Sequence, residues 1–179
     1  MLNRYGIVLT TLLNFTPFGA IAQDTKALAP QPVAGETASA PAGPLWLMSC
    51  SNQANVRELL CEFSQSLVVT QGEQSQRVAT AAFTRKAGST KLNAAFVFPY
   101  GVSLPKGVKV SVNGAEISTL TWQSCDLGGC YATGEVGQPW IDAMRRGSEM
   151  STTLSNIAGR ELNFKFQLSG FSETLNMLP

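Results

Sequence analysis

The sequence contains no histidine. That removes Ser-His-Asp and Cys-His machinery, and with them the side chain best suited to general-base work near neutrality. It has no C-x-x-C pair, so a thioredoxin-like redox centre is excluded, and no G-x-S-x-G elbow. Gly128-Gly129 is not followed by Lys-Ser/Thr, so it is not a phosphate-binding loop. Neither charge sign is in excess: 13 Lys and Arg stand against 12 Asp and Glu in 179 residues. Without a clustered basic excess there is no nucleic-acid footprint, and a near-neutral chain has little attraction to an anionic membrane surface. Beyond the N-terminus no apolar run reaches the ~20 residues that a membrane-spanning helix needs, so none is expected in the mature chain.

The N-terminus differs from the rest. Arg4 precedes a short, mostly apolar stretch from Tyr5 to Phe18, and Ala20-Ile21-Ala22 has the small-x-small pattern of an export cleavage site. Residues 1–22 therefore read as a cleaved signal peptide, and the remaining chain has 12 bases and 12 acids. Export implies a periplasmic or secreted protein in a space that permits disulfides. Residues 23–44 are rich in Ala and Pro, without an aromatic residue. Such a segment has too little apolar surface to offset its ordering entropy, and reads as a flexible tether. Residues 45–179 are a normal size for one domain around one core.

Within that domain the hydrophobic period is mainly two. Leu162, Phe164, Phe166 and Leu168 alternate with Glu161, Asn163, Lys165 and Gln167, as in a half-buried strand. Val108, Val110 and Val112 repeat the pattern and meet Asn113-Gly114, a strong two-residue hairpin signal. Further strands are expected in LWLMSC, RELLCEFSQSLVVT, RVATAAFTRK, KLNAAFVFPYG and EMSTTLSN. Two segments read as short helices. GQPWIDAMRRG has Pro139 at its start, Arg145-Arg146 in its last turn and Gly147 at its end. In FSETLNML, Phe171, Leu175 and Leu178 share one face. The pattern predicts an all-β protein, an antiparallel sandwich of about seven to nine strands.

Four cysteines, Cys50, Cys61, Cys125 and Cys130, allow three pairings. With ten and four intervening residues they do not form two zinc-ligand pairs, and there is no histidine to complete a metal site. In an exported protein they read as two structural disulfides. Local pairing, Cys50–Cys61 and Cys125–Cys130, closes the shortest loops, and Gly128-Gly129 supplies the backbone freedom that a small ring needs. No catalytic, cofactor or metal residues are indicated. Ser103-Leu104-Pro105-Lys106 matches S-x-x-K, but Pro105 between Gly101 and Gly107 favours a turn over the helix that this motif requires. Asp126, Glu135 and Asp142 are the carboxylates from which a concealed acid–base pair could assemble in space; each reads more simply as solvated charge. Arg85, Lys86 and Lys91 cluster around a glycine as a candidate partner-binding loop. Trp46, Trp122 and Trp140 read as packing residues, with a sugar platform as the minority alternative.

Trp46 followed by Cys50 and Cys61, PYGVSLPKGV at 99–108, CDLGGC at 125–130 and LSGFSETLNML at 168–178 occur in an order and spacing that resembles the invasion-associated locus B family. The resemblance covers the whole domain from about Leu45. It implies an exported bacterial envelope protein with an immunoglobulin-like β-sandwich, linked in some members to host-cell entry, and it carries over no catalytic residues. The expected function is a non-enzymatic binding module for an unknown protein or envelope component, without cofactor. The alternative is an enzyme, or enzyme inhibitor, acting on envelope polymers.

Overall fold

The computed structural model describes residues 45–52 and 58–179. The expected signal peptide and tether lie outside the described residues. Nine strands carry the fold: β1 (Leu47–Asn52), β2 (Leu59–Gln71), β3 (Gln74–Lys86), β4 (Leu92–Phe98), β5 (Val108–Val112), β6 (Ala115–Asp126), β7 (Gly129–Val136), β8 (Glu149–Ser155) and β9 (Glu161–Gln167). Helix α1 (Gln138–Arg146) lies between β7 and β8, and α2 (Phe171–Asn176) follows β9. All pairings are antiparallel, in the order β1-β2-β3-β4-β7-β6-β5-β8-β9. The expected all-β antiparallel class and both short helices are observed.

This nine-stranded sheet curls where β6 changes partners halfway. Its first half, Ala115–Leu120, pairs with β5; its second half, Thr121–Asp126, pairs with β7. A bulge lies on each side of the change. Ile117 is the extra residue opposite Val110 and Ser111, and Gln123 is the extra residue opposite Ala132 and Tyr131. Bulges bend and twist a strand, which is how β6 turns the corner between its two partner strands. The corner is tight. A Cβ at Gly134 would lie 2.5 Å from Leu120 Cδ2, and one at Gly107 would lie 2.5 Å from the Leu120 carbonyl oxygen. Trp140 of α1 donates its indole N–H to the carbonyl of bulged Ile117 at 3.1 Å, so the helix braces the bend.

Alternation in β2 sends Cys61, Phe63, Gln65 and Leu67 inward. Trp46, Phe63, Phe83 and Phe171 form one aromatic cluster with ring centroids 5.2–5.8 Å apart, mostly edge to face. Offset and edge-on contacts of this kind add stabilisation to the area buried. Phe171, Leu175 and Leu178 are all buried, so the C-terminal segment closes this part of the core. Trp140 and Met144 are buried on the expected face of α1, and Gly147 ends that helix where a Cβ would collide with a methyl of Val112. The Asn113-Gly114 turn also docks on β8. Asn113 has φ 47°, and its side-chain oxygen accepts from the backbone N–H groups of Ser148 and Glu149 at 3.1 and 3.2 Å.

One difference from the sequence expectation concerns residues 115–136. The sequence pattern assigns no strand through TWQSCDLGGCYATG, whose two cysteines it reads as a structural disulfide. The segment is the long β6–β7 hairpin. The two bulges break period-two alternation in β6, which hides the strand from a pattern reading.

Candidate functional site

Several turns meet at one end of the curled sheet. They are the β4–β5 loop (99–107), the β6–β7 turn at Asp126–Gly129 and the β8–β9 turn (156–160). The register brings them together, since Phe98 pairs with Cys130 and Lys109 with Thr153. The disulfide Cys125–Cys130 closes the β6–β7 turn between directly opposed residues. Cys50–Cys61 likewise joins opposed residues of β1 and β2. Among the described residues no cysteine is free.

Hydrogen bonds fix the loops at this end. Asp126 Oδ1 accepts from the Gly128 backbone N–H at 2.8 Å and from the Tyr131 hydroxyl at 3.1 Å. The bond to Asp126 is the main cause that raises the Tyr131 pKa above its ordinary 10, and burial adds to it. The Tyr100 hydroxyl donates to the Asp126 carbonyl. Ile157 N–H donates to the Gly101 carbonyl at 2.9 Å, and Ser103 N–H to the Ser155 carbonyl at 2.7 Å. Four large apolar side chains stand out from these fixed loops: Leu104 (50% exposed), Tyr100 (60%), Ile157 (81%) and Leu127, which is fully exposed. Beside Tyr100 and Leu127 lies an open cleft of ≈ 200 Å³, with Arg77 and Val78 of β3 on its other wall.

The other sequence candidates lie elsewhere. Arg85 is half-buried on β3 opposite Cys61. Lys86 pairs with Glu58 and Lys91 with Glu135, both at 3.4 Å and both exposed. Such surface pairs contribute little to stability. Asp126 and Glu135 belong to opposite ends of the β6–β7 hairpin, separated by six residues of β7, roughly 20 Å at the usual strand rise. Asp142 is on α1, where it accepts from Gln138 at 2.8 Å. The structure therefore does not bring the three carboxylates together. Leu104–Lys106 form one turn of 3₁₀ helix. Trp46 and Trp140 are buried and Trp122 is half-buried against Phe98. Among the described residues no group of three or more His, Cys, Asp or Glu could hold a metal ion, and no helix is long and apolar enough to cross a membrane. Tyr100, Leu127 and Ile157 were not singled out from sequence; each is a lone apolar residue in a turn, a signal too common to select.

Comparison with known proteins agrees with the fold. Residues 46–179 match the family model described as Invasion associated locus B (IalB) protein. Invasion protein B homologs of Brucella abortus, strains 2308 and biovar 1 (9-941), are each 26% identical over 134 residues, covering 74% of this chain and 75% of theirs. The crystal structure of invasion associated protein B from Bartonella henselae is similar with a TM-score of 0.64 at 22% identity, over 77% of this chain and 92% of that one. The family match extends through the curled sheet, both disulfides and the C-terminal helix, and the chain belongs to the invasion associated locus B family.

Proposed function

We propose that this chain is a non-enzymatic, disulfide-stapled binding module of the bacterial envelope that engages a protein partner through the loop end around the β6–β7 turn. One observation carries the reading: Tyr100, Leu127 and Ile157 are exposed on loops that a disulfide and backbone hydrogen bonds hold in place. Exposed apolar groups on pre-ordered loops lose little entropy on binding, and clustered exposure of this kind is typical of contact surfaces. In this reading the two layers and their loop end work as an immunoglobulin-like sandwich does, with binding groups on turns and a rigid sheet behind them. Export through cleavage of residues 1–22, and a periplasmic or secreted location, complete the proposal; two disulfides support it, since such bonds persist outside the cytoplasm. The names of the Brucella relatives support a contribution to host-cell interaction.

The test is a crosslinking pull-down of the native protein from its own envelope, run beside a Leu127→Asp/Ile157→Asp variant. The wild type should capture a defined protein that the variant loses while keeping its melting transition. Equal capture by both would remove the loop end from the proposal.

A further inference from the structure

Strands β2 and β3 run on past their neighbours. β1 pairs with β2 only as far as Ser64, and β4 pairs with β3 only from Thr80 onward. Between these points β2 and β3 pair with each other alone and project as a two-stranded ribbon. The outer edge of β3 from Gln74 to Ala79 has no strand beside it among the described residues. Its residues Gln74–Arg77 are exposed. Unpaired edges are commonly guarded by lysine or proline; this stretch has neither. Its one irregularity is a bulge that leaves Val78 unpaired, between Arg77 and the point where β4 begins to pair.

The edge is complementary to itself. Residues 73–77 read Glu-Gln-Ser-Gln-Arg. Antiparallel pairing of β3 with a second copy about a two-fold axis at Ser75 sets Gln74 opposite Gln76 and brings Glu73, the turn residue just before β3, next to Arg77 of the copy, twice over. Directly opposed residues share a face, and opposite charges there are favourable. Neither Glu73 nor Arg77 forms an ion pair among the described residues. Arg77 has one long hydrogen bond, 3.4 Å to the Gly128 carbonyl.

We infer that the free edge of β3 is a self-association surface, where two copies join their sheets through an isologous pairing centred on Ser75 and keyed by two Glu73–Arg77 contacts. About five residues from each copy make a small interface, which belongs to the weak, reversible class. The inference stands apart from the partner reading, because its variants leave Tyr100, Leu127 and Ile157 unchanged.

Sedimentation of the native protein over a range of concentrations tests it, with Glu73→Arg and Arg77→Glu as variants. The wild type should show a concentration-dependent monomer–dimer equilibrium. Each single variant places like charges opposite each other twice and should weaken dimerisation roughly tenfold or more. An equimolar mixture of the two variants restores both contacts, so heterodimers should return at wild-type strength; the E73R/R77E double variant should dimerise as well. Recovery in the mixture also demonstrates that the variants are folded. A wild type that stays monomeric throughout would overturn the inference, as would variants that associate as the wild type does. A mixture that fails to associate would overturn it too, leaving the edge for a strand from a different protein.

Discussion

The side-chain amide of Gln65 on β2 holds both backbone groups of Gln167 on β9. Its Nε2 donates to the Gln167 carbonyl at 3.0 Å, and its Oε1 accepts from the Gln167 N–H at 2.9 Å. Gln65 is 2% exposed and lies 102 residues away in sequence. The primary amide imitates a peptide group of an adjacent strand, and so links β2 to the edge strand β9.

Replacing Gln65 by Leu keeps the volume and removes both bonds. We expect a loss of about 1–3 kcal/mol, since two edge groups lose their partner at once. Urea unfolding measures it, and the Gln167 amide should exchange faster with deuterium. A variant as stable as the wild type would mean that the clasp contributes nothing.

The two disulfides should differ modestly in worth. Paired Cys→Ser variants should lose about 2 kcal/mol for Cys125–Cys130 and about 3 kcal/mol for Cys50–Cys61, in line with their sequence separations of 5 and 11. Denaturation midpoints rank them, and non-reducing peptide mapping checks that the pairs are these.

Gly129, like Gly107, is closed to replacement. It has φ 134°, and an added Cβ would lie 2.5 Å from the Phe98 carbonyl oxygen. Gly129→Ala should cost at least ~2 kcal/mol, because left-side backbone strain adds to a backbone clash. Gly88→Ala, at φ 76° with nothing within 4 Å, should cost only about 1 kcal/mol. Thermal unfolding of the pair separates crowding from conformational strain.

Tyr131 should ionise above its ordinary value, held protonated by its bond to Asp126. With the folded pKa raised, the stabilisation is fully present below the unfolded value near 10 and is lost as pH rises through the higher folded value. Ultraviolet titration of tyrosinate, taken as the difference between wild type and Tyr131→Phe, reports this ionisation. Asp126→Asn should move it downward; no movement would detach the shift from the carboxylate.

Much of the fold was legible because it is local. Strand β9, the Asn113-Gly114 turn, Pro139 and Gly147 at the ends of α1, and the buried face of α2 follow from periods and turn chemistry within about ten residues. Both disulfides were legible for the same reason, since each joins neighbours across one hairpin. Three features were not. The corner in β6 depends on bulges at Ile117 and Gln123 that exist only against their partner strands. The Gln65 clasp needs β9 to arrive beside β2, and a glutamine among inward-facing residues looks like a break in the pattern until it does. Tyr100, Leu127 and Ile157 become one loop end only after β4, β7, β5 and β8 fall into register. The sequence by itself determined most of the strands, though not the β6–β7 hairpin, and which cysteines meet, because burial period and loop closure act over short separations. The tertiary structure alone decided which loops share an end and which edges stay open, because these depend on contacts between residues far apart in the chain.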